Sequence, residues 1–145
     1  MQVETVDYRA ADAAKTLERS LRETGFAVLA NHPITPARID DVYDAWGRFF
    51  AGEDKFDYAV TPPAHDGYFA FRSENAKDSA VKDLKEFFHV DPGCQLPDEL
   101  ETLTRQIYAD LESLGRELLG WIEGQAPDSV TDSLSMPFGD MIEGS

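Results

Sequence analysis

Three histidines, one cysteine and a large excess of carboxylates hold the reactive side chains of this 145-residue chain. His89-Val90-Asp91 has the His-x-Asp spacing that supplies two ligands of a two-histidine, one-carboxylate iron site, in which three protein ligands leave open positions for a cosubstrate and oxygen. No histidine follows His89, so the third ligand would be His32 or His65 from upstream, and Pro92-Gly93 turns the chain directly after the carboxylate. With 28 acidic residues, a His-x-Asp arises readily by chance. The simpler reading is a strand-end histidine beside a turn aspartate.

His32, in Asn31-His32-Pro33, reads as a residue that caps or hydrogen-bonds a turn. His65 and Asp66 stand at the mouth of a strand, where a polar side chain is a candidate substrate contact as well as a solvated loop residue. Arg72, Lys77, Lys82 and Lys85 are set against Glu74, Asp78 and Asp83, a mixed-charge loop that could also hold a carboxylate. Cys94, in Asp91-Pro92-Gly93-Cys94-Gln95, has no neighbouring base or cation to activate it and reads as an unreactive turn thiol. There is no phosphate-cradling glycine loop, nucleophile elbow, paired-cysteine site or His-Glu-x-x-His helix.

Composition narrows the partners. Thirteen basic against 28 acidic residues give a formal net charge of -15, a field that repels phosphate backbones and anionic lipid surfaces, so neither nucleic acid nor membrane is expected as a partner. The N-terminus lacks the basic start and apolar run of a signal peptide, and a cytoplasmic location is expected. A lone cysteine agrees with a reducing compartment.

The elements that would position these groups follow from periodicity. Ala13, Ala14, Leu17 and Leu21 predict a helix over Ala10 to Thr24, stopped by Gly25. Gly25 to Ile34 reads as a buried strand running into a turn. Thr35 as N-cap and Pro36 at the first helical position open a second helix, striped by Ile39, Val42, Tyr43, Trp46, Phe49 and Phe50 and closed by Gly52. Glu53 to Ala64 reads as a loop, and Gly67 to Phe71 and Lys85 to Val90 as short aromatic strands. Leu100, Leu103, Ile107, Leu111, Leu114, Leu118 and Ile122 predict a long helix over Pro97 to Glu123, a packing stripe without chemistry, followed by a loop. The fold class is α+β, a single domain over residues 1–145 without internal repeats.

The order of these pieces resembles the N-terminal region of the iron(II)/2-oxoglutarate-dependent oxygenases of the isopenicillin N synthase-like branch. Gly25, Phe26, Asn31, His32 and Ile34 match its first strand and turn, Phe49-Phe50 and Lys55 its helix end and loop, Gly67-Tyr68 the next strand, and Lys85-Glu86-Phe87-Phe88 the strand before its long helix. Pro33 departs from the pattern by replacing a glycine, which forbids a positive φ there. The resemblance implies long bracing helices plus short strands that would join a jelly-roll (double-stranded β-helix) core. It also implies that the iron ligands and the Arg-x-Ser that holds 2-oxoglutarate belong to that core, C-terminal to the matched region; no Arg-x-Ser occurs here, and His89-Val90-Asp91 falls ahead of the long helix, the wrong place for the ligand pair. By the same resemblance, this chain holds no metal or catalytic residue, Fe(II) and 2-oxoglutarate serve the full-length member, the partners are that core and a small-molecule substrate, and His65, Tyr68 and Phe88 flank the substrate entrance.

Two alternatives remain beside this reading. One is a stand-alone, non-catalytic acidic binding module of the α+β class. The other is a small metal site using His89 and Asp91 with His32 or His65.

Overall fold

The computed structural model describes residues 2–75 and 80–142. Lys77 and Asp78 of the mixed-charge loop lie outside the described residues. The chain divides into two compact units, one of Met1–Ile39 with Gln106–Ser145, the other of Asp40–Arg105. Its order is β1 (Thr5–Asp7), α1 (Ala13–Thr24), β2 (Val28–Ala30), α2 (Pro36–Ala51), a 3-10 turn (Asp54–Tyr58), β3 (Gly67–Phe69), β4 (Phe87–His89), α3 (Asp98–Glu123), the short α4 (Asp128–Thr131) and a second 3-10 turn (Phe138–Ile142). This is an α+β chain whose strands are all three residues long.

In the first unit β1 and β2 pair in parallel, Thr5 with Val28, Val6 with Leu29 and Asp7 with Ala30. The crossover is α1, whose Leu17 packs with Val6 and Ala13 at the centre of a cluster completed by Leu21, Ala27, Leu29, Leu118, Trp121 and Ile122. Val6 is wholly buried. Removing such a side chain from water contributes about 1.5–3 kcal/mol. Gly25 takes φ +77°, the left-handed helix stop, and donates its N–H to the Leu21 carbonyl at 2.8 Å. Ser20, also buried, accepts the Glu4 N–H at 3.1 Å and donates to the Phe26 carbonyl at 2.6 Å, linking β1 to the approach to β2.

The expectation of a buried strand over Gly25 to Ile34 is corrected here. Only Val28–Ala30 is strand, it lies at the edge of a two-stranded sheet, and Phe26 is 70% exposed. Its partner β1 carries one inward apolar residue, Val6, between polar neighbours, too short a signal for strand periodicity to register.

In the second unit Ala45, Phe49 and Leu100 form a core extended by Trp46, Phe50, Tyr58, Phe88 and Leu103. The Trp46 indole donates from Nε1 to Thr104 Oγ1 at 3.1 Å, so its polar edge is satisfied inside an aromatic cluster. Arg105 holds the turn before α3, donating to the carbonyls of Asp91 (3.1 Å), Pro92 (2.9 Å) and Cys94 (2.6 Å). Cys94 is buried beneath it.

Both long helices stand within a few residues of their expected bounds. Arg38 donates its backbone N–H to Thr35 Oγ1 at 3.3 Å, so Thr35 is the N-cap of α2. α3 has 26 residues and spans about 39 Å at ~1.5 Å per residue. Two stretches read as loop contain short helical turns instead, Asp54–Tyr58 and Phe138–Ile142, with α4 between α3 and the latter. Runs this brief carry no periodicity. Among the described residues, no helix is long and apolar enough to cross a membrane.

Candidate functional site

The β3–β4 hairpin carries Tyr68, Phe88 and His89, and His65 stands just ahead of its first strand. Its strands are antiparallel, Gly67 opposite His89, Tyr68 opposite Phe88 and Phe69 opposite Phe87. Alternation therefore separates the pairs. Tyr68 and Phe88 turn into the unit: Tyr68 is 2% exposed, and Phe88 lies against Trp46 at 5.1 Å and Phe49 at 5.8 Å between ring centroids. Phe69 and Phe87 stack at 4.5 Å with an interplanar angle of 7°, and His89 stands edge-on to both at 5.9 Å.

An isolated two-stranded hairpin of three-residue strands is marginal in water. Here it is anchored by Lys55, Tyr68 and Glu86. Lys55, half-buried in the 3-10 turn, donates from Nζ to the Phe50 carbonyl at 2.6 Å and to Glu86 Oε2 at 2.9 Å. The Tyr68 phenol donates to that same oxygen at 2.5 Å. The end of α2, the 3-10 turn, β3 and the lead-in to β4 thus converge on one carboxylate. Chemistry follows the geometry. The Tyr68 hydrogen bond, then Lys55, hold the Glu86 carboxyl below the usual carboxylate range. Glu86 holds Lys55 above the usual lysine range, and burial, then Glu86, push the Tyr68 phenol up. All three groups keep their resting protonation at neutral pH, so the cluster is a clamp and not a proton relay.

Gly67 permits the hairpin to lie where it does. Its φ is +112°, and an added Cβ would meet the Tyr58 carbonyl oxygen at 2.8 Å. Next to it, Val60 donates its N–H to the Tyr68 carbonyl at 2.9 Å, adding the chain after the 3-10 turn to the outer side of β3.

The sequence candidates fall as follows. His65 is exposed, and its carbonyl accepts from His89 Nδ1 at 3.0 Å. Tyr68 is buried with its hydroxyl engaged by Glu86, and Phe88 is packed in the aromatic core. His32 is half-buried in the turn after β2, following Asn31 at φ +58°, and its Nδ1 finds no hydrogen-bond partner among the described residues. That nitrogen does not cap the turn, and the Asn31 side chain lies beside Asp7, whose carboxyl it holds below the usual carboxylate range. Arg72 and Lys85 lie over aromatic rings, Arg72 over Phe71 at 5.3 Å and Lys85 over Phe87 at 5.0 Å. The Lys55–Glu86–Tyr68 cluster escaped residue-by-residue reading, because its members are separated by up to 31 residues. Only their common place in the family pattern marked them.

Among the described residues, no group of three His, Cys, Asp or Glu side chains is placed to hold a metal. Their donor set therefore does not fit iron.

The comparisons with known proteins agree with this architecture. The family described as "non-haem dioxygenase in morphine synthesis N-terminal" matches residues 3–109. A Shewanella oneidensis protein named as an oxygenase is 42% identical with a TM-score of 0.88, over 100% of this chain and 51% of that one. A Caulobacter crescentus protein named as a 2OG-Fe(II) oxygenase family member is 29% identical with a TM-score of 0.62, over 84% and 48%. A full-length Neurospora crassa protein solved with alpha-KG and thymine shares the fold at 20% identity and a TM-score of 0.66, over 83% and 47%. The chain thus spans about half the length of these solved proteins. Among curated proteins, none matches it.

Proposed function

Because the chain belongs to the family of non-haem dioxygenase N-terminal domains, we propose that it serves as the N-terminal portion of an iron(II)/2-oxoglutarate-dependent oxygenase, bracing a jelly-roll core and forming part of the substrate entrance. Such an enzyme couples the oxidative decarboxylation of 2-oxoglutarate to oxidation, commonly hydroxylation, of a small molecule. The residues of this chain supply position, not redox chemistry.

One observation carries the entrance role: a short hairpin, clamped from behind by Lys55 and Glu86, turns Tyr68 and Phe88 inward and leaves Phe69, Phe87 and His89 on its other face. His65, exposed at the hairpin mouth, is the position that meets substrate; Tyr68 and Phe88 shape the entrance from beneath. Exposed large apolar side chains, among them Phe26, Tyr43, Val81, Leu84 and Leu111, favour a part that docks onto a larger body over a stand-alone acidic module.

The test is succinate release from 2-oxoglutarate with iron(II) and ascorbate. A longer protein containing residues 1–145 followed by a jelly-roll core releases succinate, residues 1–145 alone release none, and His65→Ala raises KM for the oxidised substrate more than it lowers kcat. Silence from the longer protein, or turnover by residues 1–145 alone, overturns the reading. The isolated residues 1–145 bind a hydrophobic dye; a cooperative melt without dye binding returns the stand-alone module.

A further inference from the structure

We propose that the hollow between α2 and β4 binds an organic ammonium ion, a primary ammonium carried on an apolar chain. This goes beyond the entrance role argued above and does not rest on it.

The hollow has a volume of about 370 Å³ and is lined by Trp46, Phe50, Glu86, Phe87, Phe88 and Val90. All six belong to the second unit, and all are half-buried, so a ligand can still reach them. The Trp46 N–H is already given to Thr104, which leaves Glu86 as the polar side chain with capacity to spare. Its two described hydrogen bonds, from Lys55 and Tyr68, both end on Oε2. Neither donor lines the hollow, so Glu86 turns toward it the oxygen that they do not hold. That oxygen, Oε1, is not among the buried atoms that lack a partner, so solvent reaches it. An ionised carboxylate only accepts, and its hydrogen bonds are about twice as strong as neutral ones. A ligand with an apolar body and one N–H donor therefore matches both the walls and the open oxygen.

Charge selects a cation among such ligands. Lys55 balances Glu86 from the Oε2 side. The further charges bearing on this core are acidic: after burial, Asp98, Glu99, Asp57 and Asp54 push the Tyr58 phenol up, and the Tyr58 ring lies 6.2 Å from that of Phe88. Lys85 pairs with Asp83 at 3.4 Å and adds no net charge. Phe87 is stacked on Phe69 and has Lys85 over its ring, so it serves as a wall and no stacking on it is required. An anion would face the open Glu86 oxygen lone pair to lone pair, on a chain whose formal net charge is -15.

The experiment uses the 145-residue chain itself, at about pH 7, where an alkylammonium is protonated and carboxylates are ionised. The probes are hexylammonium, 1-hexanol and hexanoate, which share one apolar chain and differ in charge, each titrated and followed by NMR shifts. We expect hexylammonium to bind at least about tenfold tighter than hexanoate, the worth of one hydrogen bond to a charged group. 1-Hexanol falls between them, and the shifts centre on Trp46, Phe50 and Phe88. Glu86→Gln keeps an oxygen acceptor but removes the charge, so hexylammonium falls to the level of 1-hexanol. Val90→Phe fills the hollow while leaving Lys55, Glu86 and Tyr68 in place, so it weakens hexylammonium and 1-hexanol together; it carries the test where Glu86→Gln disturbs the fold. Hexanoate binding as tightly as hexylammonium, a preference unchanged in a folded Glu86→Gln, binding unchanged in Val90→Phe, shifts centred on acidic surfaces elsewhere, or no binding of hexylammonium overturns the proposal. Because this readout needs no turnover, its failure is separable from that of the oxygenase reading, which the succinate assay decides.

Discussion

Lys55 Nζ and Glu86 Oε2 lie 2.9 Å apart, and the Tyr68 phenol reaches the same oxygen. One carboxylate atom thereby joins a 3-10 turn to both strands of a hairpin that would not persist on six residues of pairing alone.

Glu86→Ala lowers the unfolding free energy of residues 1–145 by about 2 kcal/mol at neutral pH, because the Tyr68 hydroxyl loses its acceptor and the Lys55 ammonium loses its counter-charge, keeping only the Phe50 carbonyl. The dependence on pH has a definite sign. The folded carboxyl is held below its ordinary value of 4.5, so its stabilisation is fully present above that value and is lost as pH falls through the lowered folded pKa. Urea midpoints of wild type and variant, compared from neutral pH into acid, therefore converge at the acid end. A gap that persists unchanged in acid would show that the carboxylate charge is not what holds the hairpin.

In ultraviolet titration, three of the five tyrosines form a late group that ionises above the ordinary tyrosine value of 10.0. Tyr8, against Glu117, and the desolvated Tyr58 and Tyr68 all have raised phenol pKa values. A raised phenol pKa stabilises the fold below the ordinary tyrosine value of 10.0, and that contribution is lost as pH rises through the folded pKa. Tyr68→Phe removes one residue from the late group and costs about 1 kcal/mol at neutral pH. Ionisation of Tyr8, Tyr58 and Tyr68 at or below 10.0 in the folded chain would contradict the surroundings described.

Gly67→Ala destabilises by about 2 kcal/mol or more, since it forces an L side chain to a positive φ and drives a Cβ to 2.8 Å from the Tyr58 carbonyl oxygen. Hydrogen exchange should show the loss locally, first at the Val60 amide that pairs with Tyr68. A melting temperature within error of wild type would mean that the strand shifts without resistance.

Ser20→Ala costs about 1–2 kcal/mol, measured by urea unfolding, because the Glu4 N–H loses its described acceptor in a buried setting. The Phe26 carbonyl keeps a second donor, Thr24 Oγ1 at 2.9 Å, so the larger part of the effect falls on β1.

The helices were legible because amphipathic repetition over 12 to 26 residues is a redundant signal. Thr35, Pro36 and Gly25 then marked their ends by local backbone chemistry. The Gly-Tyr and Lys-Glu-x-Phe strands were legible as types, and their order carried the family. Strand β1 was not legible, since Val6 alone faces inward, and the exposure of Phe26 could not be read from an apolar run that looks the same at the edge of a sheet as in its middle.

Sequence by itself therefore determined the α+β class, the helix ends and the family, all of which depend on residues close together in the chain or on their order along it. Tertiary structure alone decided that Lys55, Tyr68 and Glu86 meet, and that Tyr68 and Phe88 face inward while Phe69, Phe87 and His89 share the other face. The reason is physical: strand register and side-chain convergence are set by pairing between segments tens of residues apart, and nothing local to either segment specifies them.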